Sequence, residues 1–226
     1  MSGFIGVLML DTVFERIVGD AGNTASYHLP ARTQVVPKAG STDIVRDGTP
    51  DPALVASFCA AARSLEAEGA VALTSTCGFL VTVQDEIAKS VGIPVMVSAL
   101  SLFPFVRAAH GNRPVGIITA SKPNLGSAAL SAAGIALDHA LIEGMEDCEA
   151  FASAILVPKE RQGGCISQEA IQTAVTEKAV RLCRAMPDLG AIVLECGNLP
   201  PYAQAIEAAT GKRVYSILDG MKMLIR

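Results

Sequence analysis

Short apolar runs without charge alternate with stretches of helical periodicity along most of the chain, the pattern of an α/β protein whose parallel strands are buried on both faces. Residues 4–10 form the first such run and stop at Asp11, and residues 33–36 predict a second strand. Polar loops separate them: one runs from Asp11 and Thr12 through Asn23, where Asp11 and Asn23 are candidate ligand contacts, and another over 37–52 is rich in glycine, proline and acidic residues. Asp51-Pro52 opens a helix whose Leu54, Phe58, Ala61 and Leu65 fall at i, i+4, i+7 and i+11, on one face. A third strand over 70–73 leads to Cys77, and the helical pattern after it carries Val81, Ile87 and Val91. Strands are expected at 95–99, 115–119 and 140–142, with a helix over 100–109 interrupted near Pro104. Ser167 caps a long helix with the stripe Ile171, Val175, Ala179, Leu182 and Met186, which Pro187 ends. Residues 191–194 deliver Cys196, Pro200-Pro201 suit a helix's first turn, and the tail reads as a strand over 213–218 and a short helix.

One device occurs twice in this pattern. Gly69-Ala70-Val71-Ala72-Leu73 precedes Cys77-Gly78, and Gly190-Ala191-Ile192-Val193-Leu194 precedes Glu195-Cys196-Gly197-Asn198. Each places a thiol at the carboxyl end of a buried strand, where ligands collect in open α/β sheets. Each also places it at the start of a helical segment, whose free N–H groups favour a thiolate and bound anions. Two such turns facing each other would set a thiolate on one side of a carbon acid and a thiol on the other, an arrangement for two-base proton transfer. A lone free cysteine behaves as a small buried hydrophobe, and Cys59 and Cys183, beside apolar helix faces, read that way. Packing gives no such reason for the matched pair.

Half of the 226 residues are apolar, enough to fill a sizeable core. A net charge of −4 and a pI near 5.4 argue against nucleic acid as a partner, since phosphate binding wants a basic face. Residues 1–10 lack the basic start and cleavage site of a signal peptide. The longest uncharged run, 90–106, is broken by Pro94 and Pro104 and too short to span a membrane. Six cysteines without a C-x-x-C pair or a signal peptide point to reduced thiols in a cytoplasm. His28, His110 and His139 lack metal-ligand spacing, and Gly163-Gly164 is not a phosphate loop, so neither metal nor cofactor is expected.

The motifs Thr74-Ser75-Thr76-Cys77-Gly78-Phe79, Val115-Gly116-Ile117-Ile118-Thr119-Ala120 and Leu194-Glu195-Cys196-Gly197-Asn198-Leu199-Pro200-Pro201-Tyr202 resemble the aspartate/glutamate racemase superfamily, which includes hydantoin racemases, maleate isomerases and arylmalonate decarboxylases. The resemblance covers nearly the whole chain, with Gly6 to Thr12 matching the first strand and its substrate-facing loop. It implies an α/β fold of two pseudo-symmetric flavodoxin-like lobes, each a mostly parallel sheet flanked by helices, with the active site at their interface. Lobe 1 would span 1–110, with 213–226 packing back on it, and lobe 2 would span 111–212. The resemblance also implies a cofactor-independent isomerase, a homodimer or higher homo-oligomer, and one cysteine from each lobe flanking the substrate, positions that Cys77 and Cys196 match. Two departures are Gly78-Phe79, where the amino-acid racemases often have Asn, and Gly197, where Thr is common.

The expectation is therefore a racemase or epimerase of a small carboxylate-bearing substrate resembling aspartate or glutamate, with Cys77 and Cys196 as acid and base. Asp11, Ser75, Thr76, Gly78, Phe79, Thr119, Gly197 and Asn198 are the candidate substrate contacts. N–H groups at Gly78 and Gly197 and hydroxyls at Thr76 and Thr119 would meet developing charge. A side-chain carboxylate needs a cation, for which Arg32, Lys122 and Lys159 are placed nearest in sequence. The alternatives are a hydantoin or allantoin-type racemase, a maleate cis–trans isomerase using a cysteine nucleophile, a ligand-binding protein that has lost catalysis, and a thiol sensor that forms a disulfide.

Overall fold

A computed structural model describes residues 3–163 and 166–225. Strands β1 (Phe4–Leu10), β2 (Ala31–Val36), β3 (Ala70–Ser75) and β4 (Val95–Met96) form one sheet in the order β2-β1-β3-β4. Strands β5 (Val115–Thr119), β6 (Ala140–Gly144), β7 (Ala191–Leu194) and β8 (Arg213–Tyr215) form a second in the order β6-β5-β7-β8. Every pairing is parallel. The two orders are one pattern repeated, so β3 and β7, the strands that lead to the cysteines, occupy equivalent central places. All five residues of β5 and all four of β7 are buried, as strands covered on both faces require.

Helices α1 (Ser41–Ile44), α2 (Pro52–Ala67), α3 (Gln84–Lys89) and α4 (Phe103–Ala109) accompany the first sheet in sequence, and α5 (Ser127–Ala132), α6 (Glu149–Ile155), α7 (Gln168–Ala185) and α8 (Ala203–Thr210) the second. The chain closes with α9 (Ile217–Leu224). Asp51 caps α2 by accepting from Ala53 N, and the helix buries Phe58, Ala61, Ala62 and Leu65. Ser167 caps α7 by accepting from Ala170 N, and Ile171, Val175, Ala179 and Leu182 face inward. Lys178 is buried on the same helix, its charge met by Asp147. The short α1, α5 and α6 went unforeseen, having too few turns to show a period.

β3 and β6 each run two residues past the expected end, α4 starts at Phe103 after a 3₁₀ turn, and three further boundaries differ from expectation for a local reason. β2 begins at Ala31, two residues early, because as an edge strand it exposes polar residues and Arg32 lies 4.4 Å over the Phe4 ring. β4 stops at Met96 instead of 99: Val97 N donates to the Gln84 side chain, and Ser98 caps a 3₁₀ turn over Ala99–Leu102. β8 stops at Tyr215, since Ser216 and Asp219 form a capping box that starts α9 early. The tail is divided between the lobes. β8 extends the second sheet, and only α9 returns to the first, where Met221 packs with Ile5, Val7 and Ala72.

The lobes share one apolar core. α5 packs on the 3₁₀ turn Gly78–Val83, and the turn Ala99–Leu102 packs on β7, so each lobe covers the other's cysteine region. Among the described residues no helix is long and apolar enough to cross a membrane. Gly164 and Cys165, part of the glycine pair and one of the six cysteines, lie outside the described residues.

The capping box is worth testing because it sets where the tail changes lobes. Ser216→Ala should cost about 1 kcal/mol and lower the melting temperature by about 2–4 °C. Thermal unfolding with an unchanged midpoint would show that the box does not anchor α9.

Candidate active site

Beyond β3, the Ser75 hydroxyl donates to Val97 O at 2.6 Å and accepts from Cys77 N at 3.2 Å, which ties the turn to the neighbouring strand. Thr76 is pinned to β1, its N–H donating to Leu8 O and its Oγ1 accepting from Leu10 N, both at 3.1 Å. In the other lobe Glu195 N donates to Ile118 O at 2.9 Å, and Cys196 follows at once. Each thiol is only 6% exposed. The Phe79 N–H faces the Cys77 sulfur and the Asn198 N–H faces the Cys196 sulfur, so each thiol meets the amide two residues ahead of it. The Cys196 thiol also donates to Asn198 Oδ1 at 3.4 Å.

The two turns are seated on one another. A Cβ at Gly78 would stand 2.4 Å from the Glu195 carbonyl oxygen, and one at Gly197 would stand 2.5 Å from the Thr76 carbonyl oxygen. Thr76 and Glu195 are the residues just before the two cysteines, so the contact is reciprocal. Gly78 and Gly197 are therefore fixed by packing: a side chain after either cysteine would strike the backbone of the facing turn.

A narrow cavity of about 20 Å³ lies between the turns, bordered by Thr76, Cys77, Glu195, Cys196, Asn198 and Arg16 among others. That is room for about one water, so the site is closed, and a ligand enters only as the turns or the Arg16 loop part. Four of the expected site residues therefore meet at one cavity: Thr76, Cys77, Cys196 and Asn198. Gly78 and Gly197 make the contact between the turns. Ser75, Phe79 and Thr119 are not on the border. Ser75 holds the Cys77 turn, Phe79 is core, and Thr119 Oγ1 donates to Glu195 Oε2 at 2.7 Å. Asp11 is turned to Lys159 and to Lys38 N, and Asn23 donates to Arg16 O. None of the three cations named from sequence reaches the cavity either. Lys159 is taken by Asp11, Arg32 lies over Phe4 and faces Glu68 at 3.9 Å, and Lys122 is exposed.

Three site residues were not anticipated. Arg16, from the loop after β1, donates to Asp20 Oδ1 at 2.8 Å and to Thr12 Oγ1 at 3.0 Å, with its guanidinium 4.6 Å from the Phe14 ring centre. Asp20 Oδ2 accepts from Asn198 Nδ2 at 2.6 Å. A polar chain thus runs from Thr12 through Arg16, Asp20 and Asn198 to the Cys196 thiol, crossing between lobes. The third is Glu195, 2% exposed. A carboxylate inside the apolar run before Cys196 was the one available signal for it.

Burial governs the charges here. It pushes both thiols above their ordinary range, and the Glu195 carboxylate beside them adds to the effect. The anticipated amide stabilisation of a thiolate is present but is outweighed by desolvation. Burial also raises Glu195, to about 7, against the hydrogen bonds from Thr119 and Ala120 N that lower it. Its Oε1 has no hydrogen-bond partner among the described residues. Among the described residues no group of three or more His, Cys, Asp or Glu side chains is placed to hold a metal ion.

No protein-family model matches the chain. It is 30% identical over 230 residues to the dimethylsulfoniopropionate lyase of Durusdinium sp. clade D, which covers 98% of this chain and 74% of that protein. To dimethylsulfoniopropionate lyase 7 of Emiliania huxleyi it is 25% identical over 224 residues, 95% of this chain and 64% of that protein, so it spans less than two thirds of this second relative. Among solved structures, allantoin racemase from Klebsiella pneumoniae is similar in fold, with a TM-score of 0.62 at 17% identity over 99% of this chain and 86% of that one.

Two outcomes follow from the site's packing and charge. Gly197→Ala drives a methyl into a backbone carbonyl and should destabilise by about 1–3 kcal/mol, read in chemical denaturation; an unchanged midpoint would mean the turns are not seated as described. Glu195 holds its proton more tightly folded, at about 7, than at the ordinary 4.5. Its ionisation therefore costs stability as pH rises through that window, with the whole penalty, on the order of 3 kcal/mol, present above it. The stability of wild type relative to Glu195→Gln should decline from pH 4.5 to 7 and then level off, and parallel curves would rule out the buried ionisation.

Proposed function

The chain belongs to the dimethylsulfoniopropionate lyase family, within the aspartate/glutamate racemase superfamily, and on that premise we propose that it is a lyase acting on a small β-onium carboxylate, with dimethylsulfoniopropionate as the substrate. The observation that carries this reading is the charge of the cavity. Aspartate or glutamate brings two carboxylates against one ammonium, a net negative charge, yet the one cation bordering the cavity among the described residues, Arg16, is already shared with Asp20 and Thr12. The cavity instead holds a carboxylate, Glu195, with an oxygen unpartnered. A substrate with one carboxylate and one permanent positive charge matches that balance better than a dicarboxylate does.

The chemistry fits a site whose resting thiols are neutral. A base takes the proton from the carbon next to the carboxylate, and that C–H electron pair becomes the new carbon–carbon double bond. The carbon–sulfur bond breaks with its pair going to sulfur, so dimethyl sulfide leaves uncharged beside acrylate. One base is enough, because the leaving group needs no proton. The substrate's sulfonium charge, brought into a cavity of low dielectric, favours the thiolate that the empty site resists. Cys77 is the better base of the two: Arg16 pulls its pKa down, whereas Asp20 pushes that of Cys196 further up. Arg16, with guanidinium donors left beyond its bonds to Asp20 and Thr12, is the bordering cation for a single substrate carboxylate, beside Asn198. The racemase expectation is narrowed accordingly, since the curated relatives carry the name of a lyase. Proton exchange without elimination is the second reading, favoured by the placing of a thiol on each lobe's turn.

The deciding experiment is incubation of purified protein with dimethylsulfoniopropionate, following acrylate by NMR and dimethyl sulfide in the headspace. Aspartate, glutamate, a 5-substituted hydantoin and maleate are run alongside in D₂O. Acrylate and dimethyl sulfide should appear in equal amounts, and Cys77→Ala should lower the rate by about 10²-fold or more. Cys196→Ala should lower it too, by removing part of the cavity wall. Deuterium entering one of the other compounds, with no acrylate formed, would replace the lyase by the racemase reading.

A further inference from the structure

We propose that Glu195 is the specificity-determining group of the cavity, the charge of its buried carboxylate favouring the cationic head of an onium carboxylate over a neutral head of the same shape. The inference deepens the functional reading above and rests on it for the class of ligand, while its grounds are geometric. Glu195 is 2% exposed and borders the cavity together with both thiols. Thr119 Oγ1 at 2.7 Å and Ala120 N at 3.2 Å both bind Oε2, which fixes the carboxylate from the end of β5 and leaves Oε1 out of the arrangement. Oε1 lies beside Gly78, under the Cys77 turn, and a Cβ there would come within 2.4 Å of it. The Gly78 N–H faces the carboxylate and lowers its pKa without closing a hydrogen bond of normal geometry on Oε1.

A buried carboxylate oxygen without a donor is expensive, and such groups are usually explained by an absent ligand or a catalytic task. Among the described residues no side chain bonds Oε1 as a counter-charge. The ionisable groups that border the cavity with Glu195 are the thiols of Cys77 and Cys196 and the Arg16 guanidinium, with Asp20 behind Arg16 and outside the border. Arg16 is bonded to Asp20, and the thiols are neutral donors at most. An onium group is the complement: a diffuse positive charge with no N–H or O–H, which needs a carboxylate nearby and no hydrogen-bond geometry. If Glu195 served only to hold Thr119 and Ala120, a glutamine would serve nearly as well, since its carbonyl oxygen accepts the same two hydrogen bonds.

The test is a binding comparison between two non-reacting carboxylates of equal shape, 3-(trimethylammonio)propionate and its neutral isostere 4,4-dimethylpentanoate, by calorimetry at pH 8 and pH 5.5. Wild type should bind the onium acid at least ten-fold more tightly at pH 8. The preference should shrink at pH 5.5, where a carboxyl titrating at about 7 is protonated. Glu195→Gln should bind the neutral acid as wild type does and show no preference at either pH, while Glu195→Asp, which keeps the charge, should retain part of it. Should Glu195→Gln fail to fold, the wild-type pair of pH values decides alone. No preference at pH 8, a preference unchanged at pH 5.5, or one that survives in Glu195→Gln overturns the assignment. Because no turnover is read, preference without acrylate formation would retain Glu195's role and remove the lyase reading. Acrylate formation without a Glu195-dependent preference would do the reverse.

Discussion

The contact on which the site depends is the reciprocal seating of two backbone turns, Gly78 against the Glu195 carbonyl and Gly197 against the Thr76 carbonyl. Repetition of one sheet order brings β3 and β7 to equivalent places, so the two strand ends approach as near copies of a single device. Close approach is possible only where the residue after each cysteine has no side chain. The same approach excludes water, leaving both thiols and Glu195 almost wholly buried. Cavity size, thiol burial and the raised carboxyl are thus consequences of one steric fact.

Burial alone would make a poor place for a base, and the magnitudes show why a charged ligand changes that. Each unit of pKa shift corresponds to about 1.4 kcal/mol. Two opposite unit charges about 4 Å apart interact by about 4 kcal/mol at an effective dielectric near 20. A permanent cation entering the cavity therefore acts on the thiols by roughly three pKa units, which is comparable to what burial imposes. Asp20 does not cancel this, because Arg16 pairs with it at 2.8 Å. The polar chain through Thr12, Arg16, Asp20 and Asn198 fixes the Cys196 thiol by geometry, and the Asp20 charge that Arg16 does not fully offset adds to the resistance of that thiol to ionisation.

Much of the fold was legible because buried parallel strands write themselves as uninterrupted apolar runs. β5 was read to the residue, and the doubled strand–cysteine–glycine pattern located both turns. The edge strand β2 was read short because an edge exposes one side, and β4 was read long because side chains of Gln84 and Ser98 take over its pairing. Site chemistry was legible only where it lay within a motif. Cys77, Cys196, Thr76 and Asn198 share their segments with recognisable strand ends, and they do border the cavity. Arg16 and Asp20 lie in a polar loop without periodicity, and the Asp20–Asn198 contact joins residues 178 apart, so nothing local marked them. Thr119 and Ser75 sit where ligand contacts belong, yet their hydroxyls are spent on Glu195 and Val97. Position at a strand end does not reveal which hydrogen bond a hydroxyl makes.

The pseudo-symmetry is broken at one informative position. The residue before the first cysteine is Thr76, whose hydroxyl is used to accept from β1, and the residue before the second is Glu195, whose carboxylate has an oxygen to spare. A racemase works from two protonation forms, each with the thiolate on a different cysteine. Here Arg16 eases ionisation of Cys77 while Asp20 hinders that of Cys196. The inequality favours the form with the thiolate on Cys77. It suits a reaction in which one thiol takes a proton that never has to be returned and the carboxylate beside it attends to a positive charge that disappears as the leaving group departs.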